Sequence, residues 1–87
     1  MGVSSYRLLV MPRAVKSIAK LSKKEQSRVH AALVLLSDNP FPPNSLKLNG
    51  RKGYRVRLGE LRIIYTVENN QLLITVIQVG HRREIYR

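Results

Sequence analysis

The sequence predicts an α+β fold: a strand, a helical hairpin and then a three-stranded antiparallel meander, with the helices packed on one face of the sheet. Three observations carry this. Between Pro12 and Leu36 apolar residues recur at three- and four-residue spacing, the period of a helix. From Tyr54 to Val79 they alternate or run together, as in strands. Gly59–Glu60 and Asn69–Asn70 punctuate that second half where tight hairpin turns belong. A chain of 87 residues holds one core, so residues 1–87 are read as a single domain.

The apolar stretch Ser5–Met11 (SYRLLVM) reads as a strand. Pro12 suits the first turn of a helix, where a missing N–H costs nothing, and Ala14, Val15, Ile18, Ala19 and Leu21 follow at helical spacing. Ser22 and Glu25 form a capping box that opens a second helix. Val29, Ala32, Leu33 and Leu36 are its buried stripe, and His30 beside them is read as structural or surface. Ser37–Ser45 carries three prolines and is a loop, and Leu46–Gly53 is a basic loop or frayed strand. Three strands close the chain: Tyr54–Leu58, Leu61–Glu68 and Gln71–Val79.

Two-residue hairpin loops fix register. With Gly59–Glu60 as the turn, Arg57 faces Arg62, Val56 faces Ile63 and Arg55 faces Ile64. With Asn69–Asn70 as a type I′ turn, Glu68 faces Gln71, Tyr65 faces Ile74 and Arg62 faces Ile77. One face then gathers Tyr54, Val56, Leu58, Leu61, Ile63, Tyr65, Val67, Leu72, Ile74 and Val76 for the helices to cover. The other gathers Arg55, Arg57, Arg62, Ile64, Thr66, Leu73, Thr75, Ile77, Val79 and His81, with the arginines exposed and no acid among them. Like charges directly across a ladder destabilise a sheet. Either these arginines splay into water, or they form an anion site, since guanidinium forks match phosphate oxygens.

Charge points the same way. Sixteen Lys and Arg against five Asp and Glu give a formal net charge of +11, the footprint of a polyanion ligand, nucleic acid foremost. The chain has no cysteine and no metal-ligand spacing, so no disulfide, metal or cofactor is expected. No membrane-length apolar run or signal-peptide pattern occurs, and a cytoplasmic location with no membrane contact is the expectation.

The stretches GYRVRLGELRIIYTV and VIQVGHRREIY, in this order of elements, resemble the RelE/ParE toxin superfamily, and its RelE-like messenger-RNA interferase branch in particular. The resemblance spans essentially the whole chain. It implies the toxin of a type II toxin–antitoxin system, neutralised by an antitoxin encoded nearby and touching operator DNA only through that antitoxin. It implies cleavage of messenger RNA in the ribosomal A site, by attack of a 2′-hydroxyl on the adjacent phosphate. The family's catalytic positions carry over to Arg55, Arg57, Arg62, Arg82 and Tyr86; at the first two, well-studied members have lysines. Lys47, Arg51, Lys52 and Arg83 are the accompanying candidates for RNA binding.

Arg57, Arg62 and Arg82 suit stabilisation of the charged phosphorane. Arginine does not give up its proton near neutral pH, so Arg55 is a poor base. His81 titrates in the right range for an acid or base, and a crowd of arginines would keep it neutral and favour the base. Tyr86 is a second proton-transfer candidate, a platform for base stacking, or a packed tail aromatic. Two other readings share the fold: a ParE-like inhibitor of DNA gyrase, and a degenerate member that only binds its antitoxin.

Overall fold

The computed structural model describes residues 5–81. The elements run β1 (Arg7–Val10), α1 (Pro12–Ala19), α2 (Lys23–Asp38), β2 (Ser45–Lys47), β3 (Tyr54–Leu58), β4 (Leu61–Glu68), a 3₁₀ turn (Asn69–Gln71) and β5 (Leu73–His81). The sheet order is β1-β5-β4-β3-β2. β1 lies parallel to β5 and every other neighbouring pair is antiparallel. The expected meander is β3–β4–β5. The basic stretch after the prolines adds the short edge strand β2, which pairs Leu46 with Arg55.

The helical hairpin forms as its signals require. Pro12 occupies the first turn of α1. The Ser22 hydroxyl accepts from the Glu25 N–H, and the Glu25 carboxylate accepts from the Ser22 N–H, closing the capping box on α2. Gln26 Nε2 then donates to the Ile18 carbonyl at 3.0 Å and to those of Leu21 and Ala19 at 3.3 and 3.4 Å. One amide thereby ties α2 to the carbonyls at and just beyond the end of α1.

Ala14 from α1 and Val29, Ala32, Leu33 and Leu36 from α2 pack on Val56, Leu61, Ile63, Tyr65, Ile74, Val76 and Val79 of the sheet. Fully burying a side chain of this size is worth about 1.5–3 kcal/mol, so this layer dominates stability. Val15, expected at helical spacing, lies on the outer side of α1 and is 52% exposed. The proline loop is tied down by Tyr65, whose hydroxyl donates to the Pro40 carbonyl at 2.7 Å. Burial pushes the Tyr65 phenol above its ordinary range.

The first hairpin has the expected register, with Arg57 opposite Arg62 and Val56 opposite Ile63. Gly59 at φ +61° supplies the positive φ this turn demands. The second hairpin corrects the expectation twice. The Asn69–Asn70 pair does not make a type I′ turn. Residues 69–71 wind into a 3₁₀ turn and Leu72 closes it in the left-handed region at φ 50°. Glu68 therefore faces Leu73 rather than Gln71, and Tyr65 faces Val76 rather than Ile74. A bulge follows: Tyr65 pairs with Val76 but Ile64 pairs with Gln78, leaving Ile77 as the extra residue on β5. One extra residue reverses which face each later side chain takes. Arg62 thus faces Gly80, not Ile77.

Candidate nucleic-acid interface

The bulge decides the composition of the sheet face that the helices leave open. Upstream of it, Thr66 pairs with Thr75 on the open face. Downstream, the open-face rows are Arg57, Arg62 and Gly80, then Leu46, Arg55, Ile64 and Gln78. Val79 and His81 move to the helix side, opposite to expectation. Val79 is in the core, and His81 Nε2 lies 3.2 Å from Glu25 Oε2 on α2. Glu25 thus uses one oxygen in the capping box and the other on His81, and both hold its carboxyl below the usual range, the Ser22 backbone N–H most strongly. The residue expected to sit among arginines has a carboxylate as its neighbour.

Arg57 and Arg62 share the open face, side by side across β3 and β4. Their exposures differ from the expectation that all three arginines are exposed. Arg57 is exposed, Arg55 half-buried and Arg62 only 2% exposed. Among the described residues no buried side-chain nitrogen or oxygen lacks a hydrogen-bond partner, so the Arg62 guanidinium is satisfied as well as buried. A buried guanidinium with its donors engaged is fixed in position, whereas its neighbour Arg57 reaches solvent. The face also holds an acid: by alternation along β4, Glu68 lies on it at the far end, 3.9 Å from the Lys52 ammonium.

The structure does not gather every candidate. Lys47 pairs with Tyr54, which places it on the helix-side register of the sheet edge, away from the arginine face. Arg51 and Lys52 lie in the β2–β3 loop, at the opposite end of β3 from the Gly59 turn. Lys52 instead lies 3.9 Å from Glu68, six strand positions along β4 from Arg62 and so roughly 20 Å from the arginine pair. Arg82, Arg83 and Tyr86 lie outside the described residues. Gln78 joins the arginine face unforeseen. Its signal was in the sequence: after Ile74 and Val76 the two-residue period of apolar positions breaks, falling on Val79 instead of residue 78.

Residues 8–86 match the family described as the ParE toxin of the type II toxin–antitoxin system parDE. The chain belongs to the RelE/ParE toxin superfamily. A RelE-like toxin protein described from Escherichia coli is 36% identical over 80 residues, covering 88% of this chain and 83% of that one. Among solved structures, the intact E. coli RelBE toxin–antitoxin complex matches with a TM-score of 0.78 and 28% identity, over 88% of this chain and 96% of that one. The archaeal RelE–RelB complex of Pyrococcus horikoshii matches with a TM-score of 0.77 and 27% identity, over 90% and 96% of the two chains. This RelE-like toxin therefore has the predicted fold, two helices packed against a five-stranded sheet, shared with relatives solved alone and with antitoxins. Among its described residues, no cluster of three potential metal ligands occurs, and no helix is long and apolar enough to cross a membrane.

Proposed function

We propose that this RelE-like toxin is a metal-independent endoribonuclease that cleaves messenger RNA in the ribosomal A site and so blocks translation in the cytoplasm. The observation that carries the reading is Arg57 directly opposite Arg62 on the open face. A sheet built for stability alone would not place two cations there.

In the proposed reaction the RNA 2′-oxygen attacks the adjacent phosphorus as the 2′-proton leaves. The bond to the 5′-oxygen breaks, and that oxygen takes up a proton. The products are a 2′,3′-cyclic phosphate and a 5′-hydroxyl. Arg57, exposed, and Arg55, half-buried, supply donors to the phosphorane, whose extra negative charge exists only near the transition state. Arg62, held in the sheet, adds fixed positive potential beside them. His81 lies on the other face against Glu25, which takes it out of first place for the base. Proton transfer then falls to Tyr86 or to ribosomal RNA, and Arg82 completes the charge clamp. Lys47, Arg51 and Lys52 act as phosphate contacts away from the reacting centre, and Arg83 is a further phosphate contact.

Primer extension on messages from cells expressing the chain tests this reading. Cleavage ends inside translated frames, carrying 5′-hydroxyls and lost in Arg57→Gln, support it. Intact messages during growth arrest refute it. The match to the ParE toxin family keeps one other reading in play, inhibition of DNA gyrase. Blocked supercoiling with messages intact would select that reading.

A further inference from the structure

Contacts to phosphate place a strand of RNA but carry no sequence information, which is read at the edges of the bases. In the two open-face rows that hold Arg55, Arg57 and Arg62, the other described residues are Leu46, Ile64, Gln78 and Gly80. Of these side chains only Gln78 can both donate and accept a hydrogen bond without carrying charge. The bulge brings it there. Ile77 is the extra residue of β5, so Gln78 pairs with Ile64 on the open face while Val79 turns into the core. Gln78 is half-buried, and its amide forms no hydrogen bond with any described residue. Gly80 follows on the same face and adds no side chain opposite Arg62. Among the described residues, the Gln78 amide is therefore the polar group that β5 sets beside the arginine pair. Strands lie about 4.8 Å apart and same-face residues about 6.8 Å apart along them, which puts the α-carbons of Gln78 and Arg57 about 12 Å from each other. Two long side chains reaching into that gap leave room for one nucleotide, its phosphate at the arginine and its base at the amide.

We propose that Gln78 reads the base of a nucleotide flanking the phosphate held by Arg57, and that it favours adenine. The inference rests on the nuclease reading for the place of the phosphate and adds the base specificity of that site. A carboxamide presents one donor and one acceptor side by side. Along the edge that carries N6 and N7, adenine offers the matching amino donor and ring acceptor. Guanine offers two acceptors on that edge, which the carboxamide meets only once. Pyrimidines have no N7 at all. In a single strand the bases are splayed and this edge is open to side chains. The arginines hold any sequence alike through its phosphates, so discrimination at this point falls to the one group with a directional pattern of its own.

The test compares messages carrying adenosine or 7-deazaadenosine, which lacks only the N7 acceptor, at the two nucleotides flanking the cleaved bond. Single-turnover cleavage on ribosomes is measured for the full-length wild type, Gln78→Leu and Gln78→Glu, with circular dichroism to confirm folding. Short RNA single strands with the same substitutions supply a binding arm that needs no ribosome. Wild type should cut and bind the adenosine strand about five- to thirtyfold better than the deaza strand, the lower part of the range for a bidentate base contact. Gln78→Leu should treat the two alike, because no donor is left for N7. Gln78→Glu should also ignore N7 and shift its preference to cytosine, whose amino group a carboxylate accepts. Should Gln78→Leu not fold, Gln78→Glu carries the comparison. A preference that survives in the variants assigns it to another residue and overturns the proposal. Messages cut without regard to N7, with binding equally indifferent, overturn the base contact and leave the nuclease reading standing. If no message is cut but wild type binds adenosine more tightly and the variants do not, the nuclease reading fails and the base contact stands. Neither cleavage nor a preference in binding overturns both.

Discussion

Arg57→Gln separates a residue kept for chemistry from one kept for folding. The substitution removes one charge, keeps most of the side chain's length and leaves the core untouched, because Arg57 is exposed. Arg57 and Arg62 are directly opposed, and such partners hold their side chains about 5 Å apart. Two unit charges at that distance repel by about 0.8 kcal/mol in water. At physiological salt, screening roughly halves this to about 0.4 kcal/mol. For a domain of this size each kcal/mol moves the melting midpoint by about 4–8 °C. The variant should therefore melt about 2–3 °C higher at 0.15 M salt, and the gain should vanish at 1 M. Cleavage should fall by about two to three orders of magnitude, the scale of losing one strong charge-stabilising donor. The assays are thermal unfolding at two salt concentrations and single-turnover cleavage of a ribosome-bound message. A variant that melts lower and cleaves slowly would mark Arg57 as a fold residue. One that cleaves at the wild-type rate would remove it from the phosphate site.

Arg62→Ala should behave differently, because Arg62 is buried and its hydrogen-bonding groups are engaged. It should lose about 1–3 kcal/mol in urea titration, as its former partners are left unpaired; unchanged stability would contradict the burial. His81→Gln should slow cleavage by about tenfold or less, short of the roughly 10²–10⁴ of a proton-transfer group, and leave the pH–rate profile in place. A flattened acid limb would return His81 to the reaction. Tyr65→Phe loses the bond to the Pro40 carbonyl and should cost about 0.5–1.5 kcal/mol at pH 7. The Tyr65 phenol titrates higher folded than unfolded, so its contribution is complete below the unfolded value and is lost as pH rises through the folded one. Unfolding titrations between pH 8 and 11 should therefore show the wild type losing its advantage over the variant; a constant gap would refute the linkage.

The legible parts of the molecule were those set by local chemistry. Ser22 and Glu25 cap α2 because the box needs only residues three apart, and Gly59 fixes the first hairpin because its φ is forced. From these follow the Arg57–Arg62 pair and the helix-covered face. The second hairpin misled because Asn–Asn tolerates more than one backbone, and the chain took a 3₁₀ turn closed by Leu72. His81 takes the face opposite to the one alternation predicts, because strict alternation from the Asn69–Asn70 turn ignores the break in apolar period at Gln78, beside which β5 carries its extra residue. Arg62 is buried by what packs over the sheet around it, which no local pattern reports. The short strand β2 was ambiguous for the same reason: its pairing with β3, not its composition, makes it a strand.

The parallel pairing of β1 with β5 has a consequence in time. Among the described residues β5 is the one sheet neighbour of β1, and Arg7 there waits for Leu73. During synthesis the first strand emerges early and stays without its sheet partner while both helices and three further strands are made. Contacts of such long sequence separation form slowly, since the loop must close before the pairing rewards it. The same strand, β5, also brings Gln78 and Gly80 beside the arginine pair. Completion of the sheet and completion of the basic face are therefore one event. A nascent chain that stops short of β5 carries the Arg57–Arg62 hairpin without the strand that completes the face around it.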